Sequence, residues 1–185
     1  MAKLIYGMMM SLDGYIAGPE NGHGLLVPND DLHRHFNEWM KHMSLALYGR
    51  RMYEVMRFWE DADQRPGASD VQIDFARAWR ATPKVVVSTT LREVGPNARL
   101  IGSDVPKAVR ALKAETAGEI AVSGAGIAAS LSRSGLIDEY RLYFHPVVLG
   151  GGKPFFEAGL KLKLRPLGVE TLPQGVIMLR YAAAE

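Results

Sequence analysis

Apolar residues recur along this chain in two alternating rhythms, and the alternation predicts the architecture. Near-continuous apolar runs at residues 3–12, 44–48, 84–88, 120–122 and 140–148 read as strands, because a strand buried on both faces carries no regular polar positions. Segments with helical spacing lie between them. After Pro28, the residues Leu32, Phe36, Trp39 and Met43 fall on one face of a helix capped by Asn29, with Asp30 and Asp31 in its first turn. A second helix opens at residues 49–53. Residues 70–80 bring Val71, Phe75 and Trp79 to one side, residues 104–115 do the same with Val105, Ala108, Val109 and Leu112, and residues 127–133 form a further short helix. Asp13-Gly14 predicts a tight turn into a short apolar segment at 15–17, followed by a glycine-rich loop at 18–27. Residues 59–69 read as loop. Residues 162–172 and 176–181, separated by Pro173-Gln174-Gly175, predict a terminal hairpin. Strand–helix alternation followed by a run of strands argues for an α/β fold. Its sheet would be largely parallel, with helices on both faces and an antiparallel edge at the C-terminal end.

Composition narrows the function classes. With 185 residues, one domain over 1–185 with a sizeable core is expected. A net charge of +2 without a basic cluster gives neither nucleic acid nor an anionic membrane surface a reason to bind. The absence of cysteine excludes disulfides, thiolate metal sites and thiol catalysis, no metal site is expected, and the composition suits a reducing cytoplasm. The apolar N-terminal run is broken by Asp13 and Gly14 well short of a membrane span.

The candidate chemistry gathers around residues 119–156. Ser123, Gly124, Ala125 and Gly126 join a strand to a helix, an arrangement whose unpaired N–H groups and positive dipole end suit a phosphate, and which also occurs for packing alone. Gly49-Arg50-Arg51 sets two cations at a helix start, against the dipole; a bound phosphate would relieve that conflict, and a solvated pair is the plainer reading. Ser88 and Thr89 bring hydroxyls to a strand's carboxyl end, where open α/β sheets bind ligands and where turns also form. Asp30 and Asp31 either stabilise their helix end or anchor a ligand ring. Asp13 reads as a turn residue.

Four separated pieces, SLDGYIAG (residues 11–18), YGRRMYEVM (48–56), KVVVSTTL (84–91) and VSGAGIAASL with GLIDEYRLYFHPVVLGGGKPFF (122–156), resemble the dihydrofolate reductase-like superfamily. The branch they are most similar to is that of the C-terminal reductase domain of riboflavin biosynthesis (RibD C-terminal-like). The resemblance implies a three-layer α/β/α fold around a mixed sheet, bound NADPH, a small heterocyclic substrate and a homodimer. By the same resemblance Gly49, Arg50 and Arg51 hold the adenosine-side phosphates, and Ser88 and Thr89 lie beside the 2′-phosphate. Ser123, Gly124, Ala125, Gly126, Ile127 and Ala128 pass under the pyrophosphate and nicotinamide ribose, and Met10, Ile16 and Ala17 line the nicotinamide pocket. Asp31, with Asp30 as second choice, falls where the family carries its ring-binding acid; Phe36 belongs to the same substrate segment. His145 falls near a ring-holding hydroxyl position, or is a structural histidine. Two departures stand out: Gly124-Ala125-Gly126 replaces a pair of adjacent glycines, and Met52 stands where a threonine is usual. The implied activity is NADPH-dependent hydride transfer to a pterin- or pyrimidine-like ring. The alternatives are reduction of 5-amino-6-(5-phosphoribosylamino)uracil, or nucleotide binding without catalysis.

Overall fold

The computed structural model describes residues 1–19 and 24–184, so residues 20–23 of the expected glycine-rich loop lie outside the described part. Eight strands form one sheet in the order β5 (Ala98–Ile101), β4 (Lys84–Val87), β3 (Met43–Gly49), β6 (Glu119–Ser123), β1 (Lys3–Met10), β7 (Glu139–Phe144), β10 (Ile177–Ala183) and β9 (Leu164–Thr171). The strands from β5 to β7 run parallel, and β10 is antiparallel to both its neighbours. A two-stranded antiparallel pair, β2 (Tyr15–Ala17) with β8 (Lys153–Pro154), sits apart from it.

The apolar runs are continuous because both faces of the central strands are covered. Leu4, Tyr6, Leu45, Leu47, Val85, Ile120 and Val122 share one core cluster with Val109 and Leu112 of α4 (Val105–Glu115) and Ile127 and Leu131 of α5 (Ala125–Arg133). The intervening Ala46, Tyr48 and Val86 face the opposite layer, where Met40 of α1 (Asp30–His42) and Phe75 and Trp79 of α3 (Asp70–Ala81) pack. Period-two alternation thus assigns each strand residue to one layer or the other. Fully burying a side chain such as Leu47 contributes roughly 1.5–3 kcal/mol. The hairpin end has its own cluster, in which Leu32 meets Tyr143, Leu172, Val176 and Met178.

Helix starts follow local chemistry. Asn29 accepts the Leu32 N–H at 3.0 Å, and Ser69 and Gln72 form a reciprocal capping box at the start of α3.

Several expected boundaries shift. Met43 opens β3 instead of closing α1. β7 ends at Phe144, not at 148: the His145 N–H donates to Met10 O at 2.8 Å, and Pro146, which has no N–H, ends the ladder. The residues expected as loop, 59–69, include the end of one 3₁₀ turn, Arg57–Glu60, and the whole of another, Ala62–Gln64. β5 is a four-residue edge strand that the apolar pattern does not announce.

Candidate cofactor and substrate site

Strand register assembles the site. Tyr48 pairs with Ser123 across β3 and β6, and Gly49 pairs with Val87 across β3 and β4. Gly49 and Gly124 therefore emerge side by side at the carboxyl ends of the central parallel strands, with Ser88 at the next strand end. Each glycine starts a helix, α2 (Arg50–Met56) or α5, and neither helix has a side-chain cap or an acid in its first turn. The contrast with α1 and α3 is chemical: at α2 and α5 the first-turn N–H groups remain available to an outside acceptor. Gly124 has φ +114°, and a Cβ there would stand 3.4 Å from Met52 Cβ and 3.7 Å from Gly49 N. Glycine keeps this cradle open and makes its backbone conformation accessible. The two paired helix starts fit a pyrophosphate, and Arg50, which pairs with Glu54 at 3.3 Å, and exposed Arg51 add positive charge beside them. Ser88 Oγ accepts the N–H groups of Thr90 and Leu91 at 3.1 and 3.0 Å and lies 3.3 Å from Thr90 Oγ1, so it builds its own turn, with exposed Thr89 beside it.

The SLDG and GGG segments meet in the same region. Asp13 accepts the N–H groups of Leu149 and Gly150 at 3.0 and 2.7 Å. Its carboxyl is held below the ordinary aspartate value by the Ser11 side chain and by the Leu149 and Gly150 amides, against the smaller opposing effect of desolvation. Asp13 is thus the tie that fastens the glycine loop, a larger role than its turn position announces. Gly152, at φ +123°, lies so close to β2 that an added Cβ would fall 2.1 Å from Ala17 O. Only glycine lets β8 approach and pair with β2 this closely. Met10, Ile16 and Ala17 are all buried, and Ile16 reaches the neighbouring cavity.

That cavity, of about 440 Å³, opens between α1, α2, α3 and the sheet. Its walls include Gly7 and Met9 of β1, Phe36 and Trp39 of α1, Met52 of α2, Trp59, and Phe75 of α3. Ser123 lines it and directly precedes Gly124, so the cavity and the paired helix starts share one strand end. Trp39 forms a wall: its Nε1–H donates to Glu119 at 3.3 Å, and a Cβ on Gly7 would sit 2.8 Å from its ring.

Of the two acids, Asp30 lines the cavity and Asp31 does not; both are exposed, and Asp31 pairs with Arg34 at 2.5 Å. A step of one residue around a helix separates them. Phe36 lines the cavity. His145 is not among the lining residues; it is buried, burial pushes its pKa below the ordinary histidine value, and Nε2 has no partner among the described residues. His33 was not singled out from sequence, yet it lines the cavity one turn after Asp30. Its Nδ1 lies 2.8 Å from Asn37 Oδ1, and the Asn37 amide group donates to Val71 O and Asp74 Oδ2. Asn37 Oδ1 is therefore the acceptor, Nδ1 carries hydrogen, and in the neutral ring Nε2 is the acceptor. The spacing Asp30–His33, two polar residues on one helical face, was the available signal.

Comparisons with known proteins bear on the family and the fold. The family model of the RibD C-terminal domain matches residues 2–178. Protein YyaP of Bacillus subtilis (strain 168) is 26% identical over 181 residues, spanning 97% of this chain and 94% of its own length. A protein of Shewanella sp. PV-4 described as a riboflavin biosynthesis protein superposes with a TM-score of 0.78 at 23% identity, over the whole of both chains. Dihydrofolate reductase from Enterococcus faecalis, solved with NADP(H) and RAB-propyl, gives a TM-score of 0.61 at 15% identity over 99% of this chain and 97% of its own. These structural likenesses carry the fold, a mixed, mostly parallel sheet of the dihydrofolate reductase-like kind with a C-terminal antiparallel hairpin. With nearly its whole length matched, the chain belongs to the RibD C-terminal domain family.

Proposed function

We propose that this protein is an NADPH-dependent reductase of a small pterin- or pyrimidine-like heterocycle. The observation that carries the reading is adjacency: two uncapped helix starts meet at Gly49 and Gly124, and Ser123 links them directly to an apolar cavity. Family membership and the NADP(H) bound by the structurally similar dihydrofolate reductase support it. Reduced nicotinamide, when bound, is the hydride donor. The chain's own part is placement and exclusion of water. The amides at the starts of α2 and α5 receive phosphate oxygens, with Arg50 and Arg51 alongside. Ser88 and Thr89 offer hydroxyls at the adjoining strand end. Met10, Ile16 and Ala17 form the apolar bed near the cavity, and Ala125, Gly126, Ile127 and Ala128 carry the backbone of the first α5 turn. Asp30, on the cavity wall, anchors the acceptor ring or holds its proton.

Titration with NADPH and NADH, followed by loss of reduced-nicotinamide absorbance across a heterocycle panel, tests the reading. NADPH should bind more tightly. Arg50 and Arg51, together with Ser88 and Thr89, also offer their charges to the 2′-phosphate, and a well-placed charge-assisted contact contributes about 1.5–3 kcal/mol, so Arg50→Ala should narrow the preference about tenfold or more. Equal wild-type affinities for the two dinucleotides would remove the 2′-phosphate assignment, and NADPH binding without turnover on any acceptor would remove the reductase.

A further inference from the structure

The cavity's lining says what kind of ring it accepts. Six of the nine methionines line it: Met8, Met9, Met40, Met43, Met52 and Met56. Flexible, polarisable thioethers around aromatic walls adapt to flat rings of differing outline. The volume is within the range that encloses most of a drug-sized ligand. Among the described residues the lining holds no lysine or arginine.

The rim has the same character. Val27, Val55 and Phe58 line the cavity yet are 58%, 49% and 41% exposed, so the apolar surface continues outward. Of the arginines on the bordering elements, Arg34 pairs with Asp31, Arg57 with Glu60, and Arg65, which lies over the Phe58 ring, with Asp61, while Arg50 and Arg51 stand at the α2 start assigned above to the dinucleotide phosphates. The polar residues on its lining include exposed Asp30, His33, Tyr48, Gln72 and Ser123. An anion entering this space would exchange water for thioether and aromatic carbon, with an acid and no lysine or arginine among the lining residues.

We propose that the cavity takes a flat aromatic ring system, uncharged or singly cationic, and rejects rings bearing a phosphate or carboxylate on the part that enters. The proposal deepens the reductase reading and rests on it for the acceptor's identity. On this count a phosphoribosyl-bearing pyrimidine fits the cavity poorly. Asp30 favours the cation by charge, and N–H donors on a ring edge match its oxygens and the Nε2 acceptor of neutral His33.

Three tricyclic probes of nearly the same shape test this at neutral pH: acridine, 9-aminoacridine (cationic) and acridine-9-carboxylate (anionic). Binding to the full chain without dinucleotide is read by quenching of Trp39 and Trp59, both on the cavity wall, and by calorimetry. The expected result is that acridine and 9-aminoacridine bind, and that the carboxylate binds at least tenfold more weakly than acridine. Val55→Lys, which puts a cation at the exposed rim, should shrink that ratio. A carboxylate affinity within tenfold of that for acridine overturns the proposal, as does failure of both acridine and 9-aminoacridine to bind. NADPH affinity is measured separately, so the two readings fail independently. A protein that binds acridine and ignores NADPH loses the reductase reading only, and one that binds NADPH but prefers the anion loses this proposal only.

Discussion

Replacing Glu139 with glutamine should remove a large part of the fold's stability, and the pH dependence of that loss identifies its cause. Glu139 is fully buried in β7 and accepts from Arg141 Nε at 2.7 Å, Arg180 Nε at 2.8 Å and the Lys3 ammonium. Burial alone would raise its pKa. Hydrogen bonds from Arg180, Arg141 and Lys3 outweigh burial and bring it from 4.5 down to about 2. A drop of that size corresponds to about 3 kcal/mol at roughly 1.4 kcal/mol per unit, the same magnitude as breaking a buried ion pair from one side. Because the folded-state pKa lies below the unfolded value, this stability is fully present above about pH 4.5 and is lost as pH falls through about 2. Guanidinium unfolding of wild type and Glu139→Gln should therefore differ by about 3 kcal/mol at pH 7 and by less than half of that at pH 3. The change reaches the cavity as well: Arg141 also donates to Glu119 at 2.9 Å, and Glu119 accepts the Trp39 N–H. A difference below about 1 kcal/mol at pH 7, or one that stays constant down to pH 3, would refute the account.

Gly152→Ala should destabilise by roughly 2 kcal/mol or more, through the clash with Ala17 O and an unfavourable positive φ, and thermal unfolding would show it. Asp30→Asn should lower turnover about 10²-fold with NADPH affinity intact, whereas Asp31→Asn should change folding by only about 0.3–1 kcal/mol and leave turnover near wild type; steady-state kinetics on both variants decides. The homodimer is a further proposal. Within the GGG block Phe155 is buried and Phe156 packs on the core, which leaves Val148, 66% exposed, as the main apolar contribution. Light scattering should give twice 20.4 kDa at micromolar concentration, and a monomer counts against it.

What could be read from sequence followed from physical locality. Strands buried on both faces announce themselves, because Leu45, Ala46, Leu47 and Tyr48 all need apolar surroundings, whichever layer each one faces. Caps were legible for the same reason, since Asn29 acts on an amide three residues away. β5 was not: its four residues, at the sheet edge, are none of them fully buried, so no strong pattern was required of them. The site was half legible. Glycines at 49 and 124 were visible separately, but their meeting depends on the Tyr48–Ser123 register, a relation between segments about 75 residues apart in sequence. The choice between Asp30 and Asp31 depends on one step of helical rotation, below what spacing without a fixed neighbour can decide. The cavity had a trace that went unread. Every methionine except Met178 lies within the first 56 residues, and the elements they occupy converge on one space. Clustering of flexible apolar residues in sequence became clustering in space because β1, α1, β3 and α2 all contribute to the cavity wall. Trp39 joins the cavity to the charge network: its ring bounds the cavity, Gly7 is shaped to admit it, and its N–H leads through Glu119 and Arg141 to Glu139. The charges that secure the sheet thereby also fix a wall of the candidate substrate site.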